Sequence, residues 1–293
     1  MIRRMFGNTG LEVSVLGFGA MHISADKLSD KEAETLLHTV IDSGINLIDT
    51  ARGYRSSEER IGKFLSGRRN EIVISTKIGY DIPGYEDWTY DCIVAGVDAA
   101  LKRLQTDYID IVHFHSCPLA TLEQGDITRA LEEAVRAGKV RSAAYSGDNE
   151  ALGYAIASDR FNSVQCSVNL CDQTVIDHDL PALVQKEMGV IAKRPIANAP
   201  WRFDERPVGD YSEVYWTRWK QMDIDPNGID WQELALRFTA FLPGVHSCIV
   251  GTSSLDHLLK NIELVNKGAL PQEMVDTIRH AYQTNDSGWV SQC

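Results

Sequence analysis

Four side chains able to do chemistry stand at or just after the ends of apolar runs in this chain. Asp49 closes "INLID", Tyr54 follows in the next loop, Lys77 closes "ISTK" and His115 closes "IVHFH". A carboxylate, a phenol, an ammonium and an imidazole together suit the reduction of a carbonyl. When hydride reaches the carbon, the oxygen becomes an alkoxide, and the site must supply it with a proton and with hydrogen-bonding or cationic help. A phenol, with an unperturbed pKa of about 10, gives up its proton reluctantly unless a nearby cation stabilises the phenolate. Lys77 is the candidate cation. Asp49 would pair with it, so that a buried ammonium is not left uncompensated, and His115 can donate from a ring nitrogen to the same oxygen. Any one of the four alone reads equally as an incidental loop residue or part of a surface ion pair. All four at matching strand ends argue for one site.

The elements that must carry them follow a regular rhythm. "RMFGNTGLEVSV" holds a turn signal, Asn8-Thr9-Gly10, between two short strand-like runs and predicts an N-terminal hairpin. After it, β-type runs alternate with helix-period segments: "VLGFGAM" and "SDKEAETLLHTVIDSG", "INLID" and "SSEERIGKFLSG", "IVIST" and "YDCIVAGVDAALKRLQ", and so on to "SCIVG" and "SLDHLLKNIELVNKG". Ser29 with Asp30, and Ser56 and Ser57 followed by Glu58 and Glu59, are helix-start chemistry, whereas Gly44, Gly67 and Gly138 stand where helices should stop. Strands separated by helices pair in parallel, and eight such units predict an α/β fold, a closed (β/α)8 TIM barrel with an N-terminal β-hairpin, as one domain over residues 1–293. An open doubly wound sheet is disfavoured, because no G-x-G-x-x-G follows an early strand. In a barrel the site lies at the carboxyl ends of the strands, which is where the four residues fall.

Composition narrows the function classes. At a formal charge of −12, with no run of Lys and Arg, the chain lacks the basic surface that nucleic acid requires. No window approaches 18 consecutive apolar residues, and "MIRRMFGNTGLEV" has cations without an apolar segment behind them, so the expectation is a cytoplasmic protein with no membrane partner. The cysteines (Cys92, Cys117, Cys166, Cys171, Cys248, Cys293) show no CxxC or metal-type spacing and read mostly as small buried apolar residues.

The segments "DTARGYRSSEERIG", "ISTK", "ALKRLQTDYIDIVHFH" and "IVGTSSLDHLLKNIE" resemble the aldo-keto reductase superfamily, in order and in spacing, from about Met5 to about Glu263. The resemblance implies a (β/α)8 barrel that reduces carbonyls with NADPH, NADH being possible, and carries the family's tetrad onto Asp49, Tyr54, Lys77 and His115. It also implies cofactor contacts at Gly19, Met21 and Asp49, and puts Ser146 and Gln165 on the nicotinamide carboxamide. The family's usual Asn after that Ser is here Gly147, and where many members carry an aromatic at the end of the seventh strand this chain has Lys193 and Arg194. A guanidinium can stack or bind phosphate, which makes Arg194 the cofactor contact of the pair, with a solvent-facing basic pair as the alternative. Gly251, Thr252, Ser253, His257 and Asn261 fall on the segment that grips adenine and its ribose. Many members hold a 2'-phosphate with a Lys and an Arg at the positions of Gly251 and His257, and neither is present here.

Two other readings remain open at this stage. His113 and His115 form H-x-H on a strand and could share a metal, as in a metal-dependent barrel hydrolase, and a cofactor-binding sensor with poor turnover would keep the same barrel. For substrate, aromatics in the loops over the mouth, Trp88 and Trp201 above all, suggest an aromatic-walled pocket for a small aldehyde, ketone or sugar-like carbonyl. Oligomeric state is not legible.

Overall fold

The computed structural model describes residues 1–292, so Cys293 lies outside it. Strands β1 (Arg3–Met5) and β2 (Glu12–Ser14) pair antiparallel as the expected hairpin, with Gly10 at φ 71 in the turn. Eight further strands close a parallel barrel: β3 (Leu16–Gly19), β4 (Leu47–Asp49), β5 (Val73–Ile78), β6 (Ile109–His115), β7 (Val140–Ser146), β8 (Ser163–Ser167), β9 (Gly189–Lys193) and β10 (Ser247–Gly251), the last pairing with both β9 and β3.

The period of two along each strand sorts the barrel interior into layers. Leu47, Val73, Ile111, Ala144 and Ile191 fill the lower interior, closed from below by Phe6, Leu11 and Val13 of the hairpin region. Two residues further along the same strands, the inward positions become polar: Asp49, Ser75, His113, Ser146 and Lys193. A further two residues along, β5 and β6 present Lys77 and His115. The outward positions, such as Ile48, Ile74, Val112 and Phe114, join the core between barrel and helices. An apolar floor under a polar ceiling follows directly from this alternation.

Helix ends behave largely as expected. Ser29 caps helix Asp30–Asp42 with a complete capping box to Glu32. Ser56 does not cap its helix: its hydroxyl accepts from the Ala25 amide, and Ser57 donates to the Ala20 carbonyl. Glu58 is not a solvent-facing first-turn charge either. It is buried, accepting from Thr76 on β5 and from Arg103, and so ties the helix Ser57–Leu65 to the barrel wall. Glu213–Met222 and Gln272–Asn285 are further helices, and after β6 Gly125, at φ 80, separates the helices Leu119–Gln124 and Asp126–Arg136. Among the described residues no helix is long and apolar enough to cross a membrane. The described cysteines are buried and unpaired, and burial pushes the thiols of Cys117 and Cys248 up to about 12.

Candidate active site

At the carboxyl ends of the strands a cavity of about 660 Å³ opens, bordered by Asp49, Tyr54, Lys77 and His115. Lys77, fully buried, donates to Asp49 Oδ2 at 2.6 Å and to the Thr50 carbonyl at 2.9 Å. Its Nζ lies 5.0 Å from the centre of the Tyr54 ring, and that ring meets His115 edge-on with centroids 6.0 Å apart. Burial by itself would lower the Lys77 pKa, yet Asp49 and Tyr54 outweigh it and hold the ammonium above the ordinary lysine range. The cation is therefore permanent at neutral pH.

Asp49 is the hub. Its other oxygen, Oδ1, accepts from Ser75 at 2.8 Å and from the Gln165 amide at 2.8 Å, and Gln165 Oε1 in turn accepts from Ser146 at 3.2 Å. A carboxylate only accepts, so the single hydroxyl proton of Ser75 goes to Asp49. The 3.0 Å contact between Ser75 Oγ and His113 Nε2 then has His113 as donor, which fixes that ring as the Nε2–H tautomer. His113 is fully buried in the barrel, and burial, helped by Lys77, pushes it down to about 3. His115 is also pushed down to about 3 by the same two causes, and its Nδ1 lies 2.6 Å from the Tyr80 hydroxyl. The two histidines engage different partners, Ser75 and Tyr80, and among the described residues no three His, Cys, Asp or Glu side chains gather as a metal set. The H-x-H reading as a shared metal site is thus not what the geometry builds.

A stability consequence follows from His113. The unfolded chain protonates a histidine below the ordinary value of about 6.5, whereas the folded ring stays neutral to about 3, so the unfolded state binds more protons across that window and stability falls as pH drops through it. Gln at this position can still donate to Ser75 but cannot titrate. His113→Gln is expected to remove up to about 1.4 kcal/mol per pH unit of the acid-side slope, read by urea unfolding between about pH 4.5 and 7. An unchanged slope would show that His113 charges freely in the folded protein.

The expected cofactor contacts divide. Gly19, Met21, Asp49, Ser146, Gln165, Arg194 and Gly251 border the cavity, while Thr252, Ser253, His257 and Asn261 do not. The helix beyond them, Leu255–Asn266, is capped by Ser254, whose hydroxyl accepts from the His257 amide, and the buried Asn261 accepts from Gln232 at 2.6 Å. Arg194 is less free than expected: it donates to Ser167 at 2.7 Å, to the Gln292 carbonyl and to the Tyr211 hydroxyl, tying the final residues to the end of β9. Its neighbour Lys193 pairs with the buried Asp148 at 2.8 Å. Asn149, just beyond Gly147, bonds Ser291 in both directions at 3.0 Å, so it serves the tail rather than the cavity.

The tryptophans are corrections. Trp88 lies over Gly79, where an added Cβ would come within 2.1 Å of the indole, and packs edge-on against Tyr80 and Phe114. Trp201 stacks on Trp231, with Trp219 edge-on to the same ring. Neither Trp88 nor Trp201 borders the cavity; large flat rings hold the loops onto the barrel instead. Beyond the tetrad and the expected cofactor contacts, the side chains that line the cavity include His22, Arg202, Asp210 and Tyr211. Only the aromatic character of that region was legible, because the fold of segment 197–228 decides which side chains face inward. Ser75, by contrast, could have been found from its place two residues before Lys77 on the same strand.

The Aldo/keto reductase family model matches residues 15–283. The chain is 27% identical to an uncharacterized oxidoreductase, YqkF, of Bacillus subtilis, over 95% of this chain and 96% of that protein. It is 27% identical to L-galactose dehydrogenase of Arabidopsis thaliana, over 90% of this chain and 88% of that protein. Among solved structures it superposes on the holo form of aldo-keto reductase AKR11C1 from Bacillus halodurans with a TM-score of 0.83, 26% identity and 96% of each chain covered.

Proposed function

Because the chain belongs to the aldo/keto reductase family, we propose that it is an NAD(P)H-dependent oxidoreductase interconverting a small aldehyde, ketone or sugar-like carbonyl and its alcohol, with Tyr54 as the general acid and base. The observation that carries this reading is the buried Lys77, paired to Asp49 at 2.6 Å and facing the Tyr54 ring at the mouth of the cavity. A reduced nicotinamide, when bound, supplies the hydride. Tyr54 then gives its proton to the developing alkoxide, and the permanent charge of Lys77 stabilises the phenolate left behind. Asp49 keeps Lys77 in place, itself held by Ser75 and Gln165. His115, which borders the cavity and meets Tyr80 through Nδ1, would offer its other nitrogen, Nε2, to the carbonyl oxygen.

The residues fit a nicotinamide dinucleotide. Gln165 offers an amide donor and acceptor and Ser146 a hydroxyl, which is what a carboxamide asks of its site. Further around the mouth, Gly19 and Gly251 approach so closely that a Cβ on Gly251 would stand 2.9 Å from the Gly19 carbonyl, leaving bare backbone along that rim. The name of the plant relative, L-galactose dehydrogenase, supports a sugar-like alcohol as one substrate class. Fluorescence titration with NADPH and NADH, followed by a panel of aldehydes, ketones and aldoses with the tighter nucleotide, tests the reading. Binding of neither nucleotide would sink it.

Cofactor choice follows from charge. The Lys and Arg expected of a 2'-phosphate site are absent, His257 and Lys260 point to solvent, Lys260 pairs with Glu263 at 3.2 Å, and Arg194 is engaged by the tail. With at most one exposed ion pair of about 1 kcal/mol to gain, NADPH is expected to be preferred over NADH by less than about tenfold in kcat/KM. Measuring kcat/KM with both nucleotides decides it; a preference of several hundredfold would mean that a fixed cation, most simply Arg194, leaves the tail to hold the phosphate.

A further inference from the structure

Nothing in the strand carrying His115 dictates which ring nitrogen holds its hydrogen, although only one choice can serve a carbonyl oxygen. The partner that decides comes from another element. Tyr80 lies just past the end of β5, and its hydroxyl sits 2.6 Å from His115 Nδ1, with the two rings stacked at 5.5 Å and 23°. The phenol is itself held in place: Trp88 packs edge-on against it at 6.0 Å, and Gly53 approaches so closely that a Cβ there would lie 3.1 Å from the Tyr80 oxygen.

We propose that Tyr80 is a positioning residue that donates its hydroxyl hydrogen to His115 Nδ1, locking the imidazole as the Nε2–H tautomer and turning that N–H into the cavity. A phenol donates better than it accepts and a bare imidazole nitrogen is a strong acceptor, so O–H to N is the stronger of the two possible arrangements at this short distance. The opposite arrangement puts the hydrogen on Nδ1 and leaves a bare Nε2, which can only repel a carbonyl oxygen. Burial supports the direction, since it pushes Tyr80 above the ordinary phenol range and so keeps its proton on, while the neutral His115 retains a bare nitrogen to receive it. His113 on the same strand is set as the same tautomer by the opposite means, donating to a serine where His115 accepts from a tyrosine. The catalytic meaning of Tyr80 rests on the carbonyl-reductase reading above; the tautomer assignment does not.

Nitrogen NMR of histidine-labelled protein reads the tautomer directly. In the wild type the expected result is a protonated Nε2 and an unprotonated, hydrogen-bonded Nδ1 for His115. In Tyr80→Phe the Nδ1 resonance should move to that of an unbonded nitrogen. On a good substrate kcat should fall about tenfold, the lower end for losing a residue that orients a site group, with the nucleotide Kd unchanged. A protonated Nδ1 in the wild type overturns the proposal whether or not the variant folds. So does an Nδ1 resonance that stays put in Tyr80→Phe, or a moved resonance with kcat unchanged. If the protein turns over no carbonyl but shows the expected nitrogen states, the proposed reaction fails while the Tyr80–His115 assignment stands.

Discussion

Replacing Tyr54 with phenylalanine is expected to lower kcat by at least about 100-fold, the usual cost of losing a general acid, while nucleotide affinity stays within about twofold. The substitution removes one oxygen and keeps the ring. The edge contact with His115 and the position of Lys77 over the aromatic face survive, so the cavity retains its shape. What disappears is the proton donor, and neither Lys77, tied to Asp49 and the Thr50 carbonyl, nor the neutral His115 can replace a phenol of tunable acidity. Stopped-flow single turnovers separate the chemical step from product release, and fluorescence titration gives the nucleotide Kd. Near-native turnover in the variant would remove Tyr54 from the reaction.

Lys77→Met is expected to abolish turnover and also to destabilise the fold by about 3–5 kcal/mol, because it leaves a buried carboxylate uncompensated. Asp49 is 1% exposed and would keep only Ser75 and Gln165 as donors, both on its other oxygen. The sign can be isolated with a neutral pair. In Asp49→Asn combined with Lys77→Met there is no unpaired charge left to bury, so the double variant should be more stable than Lys77→Met alone. Urea unfolding of both variants at neutral pH measures this. A loss under about 1 kcal/mol for Lys77→Met, or a double variant as unstable as the sum of the two singles, would mean that water reaches the pair and that it is not the buried electrostatic unit described. The raised Lys77 pKa adds a pH sign: its stabilisation is complete below the unfolded lysine value and is lost only as the solution becomes strongly alkaline.

Sequence alone determined the barrel, its N-terminal hairpin, and the arrival of Asp49, Tyr54, Lys77 and His115 at one mouth. These rest on local rules. The alternation of strand and helix periods fixes a parallel sheet, and a period of two places Asp49 above Leu47, Lys77 above Ser75 and Val73, and His115 above His113 and Ile111, whatever the rest of the chain does. The tertiary structure decided everything that depends on which distant groups meet. Trp88 and Trp201 turned from pocket walls into packing, because Gly79 and Trp231 offered them flat apolar partners. Arg194 turned toward the tail, because Ser167, Tyr211 and the Gln292 carbonyl converge on it from three separate segments. Glu58 became a buried strut once Thr76 and Arg103 enclosed it. Tyr80 came to hold His115 across 35 residues of chain. Periodicity says which face a side chain takes, but a hydrogen bond needs its partner at about 3 Å, and that distance is set only when the loops close over the barrel.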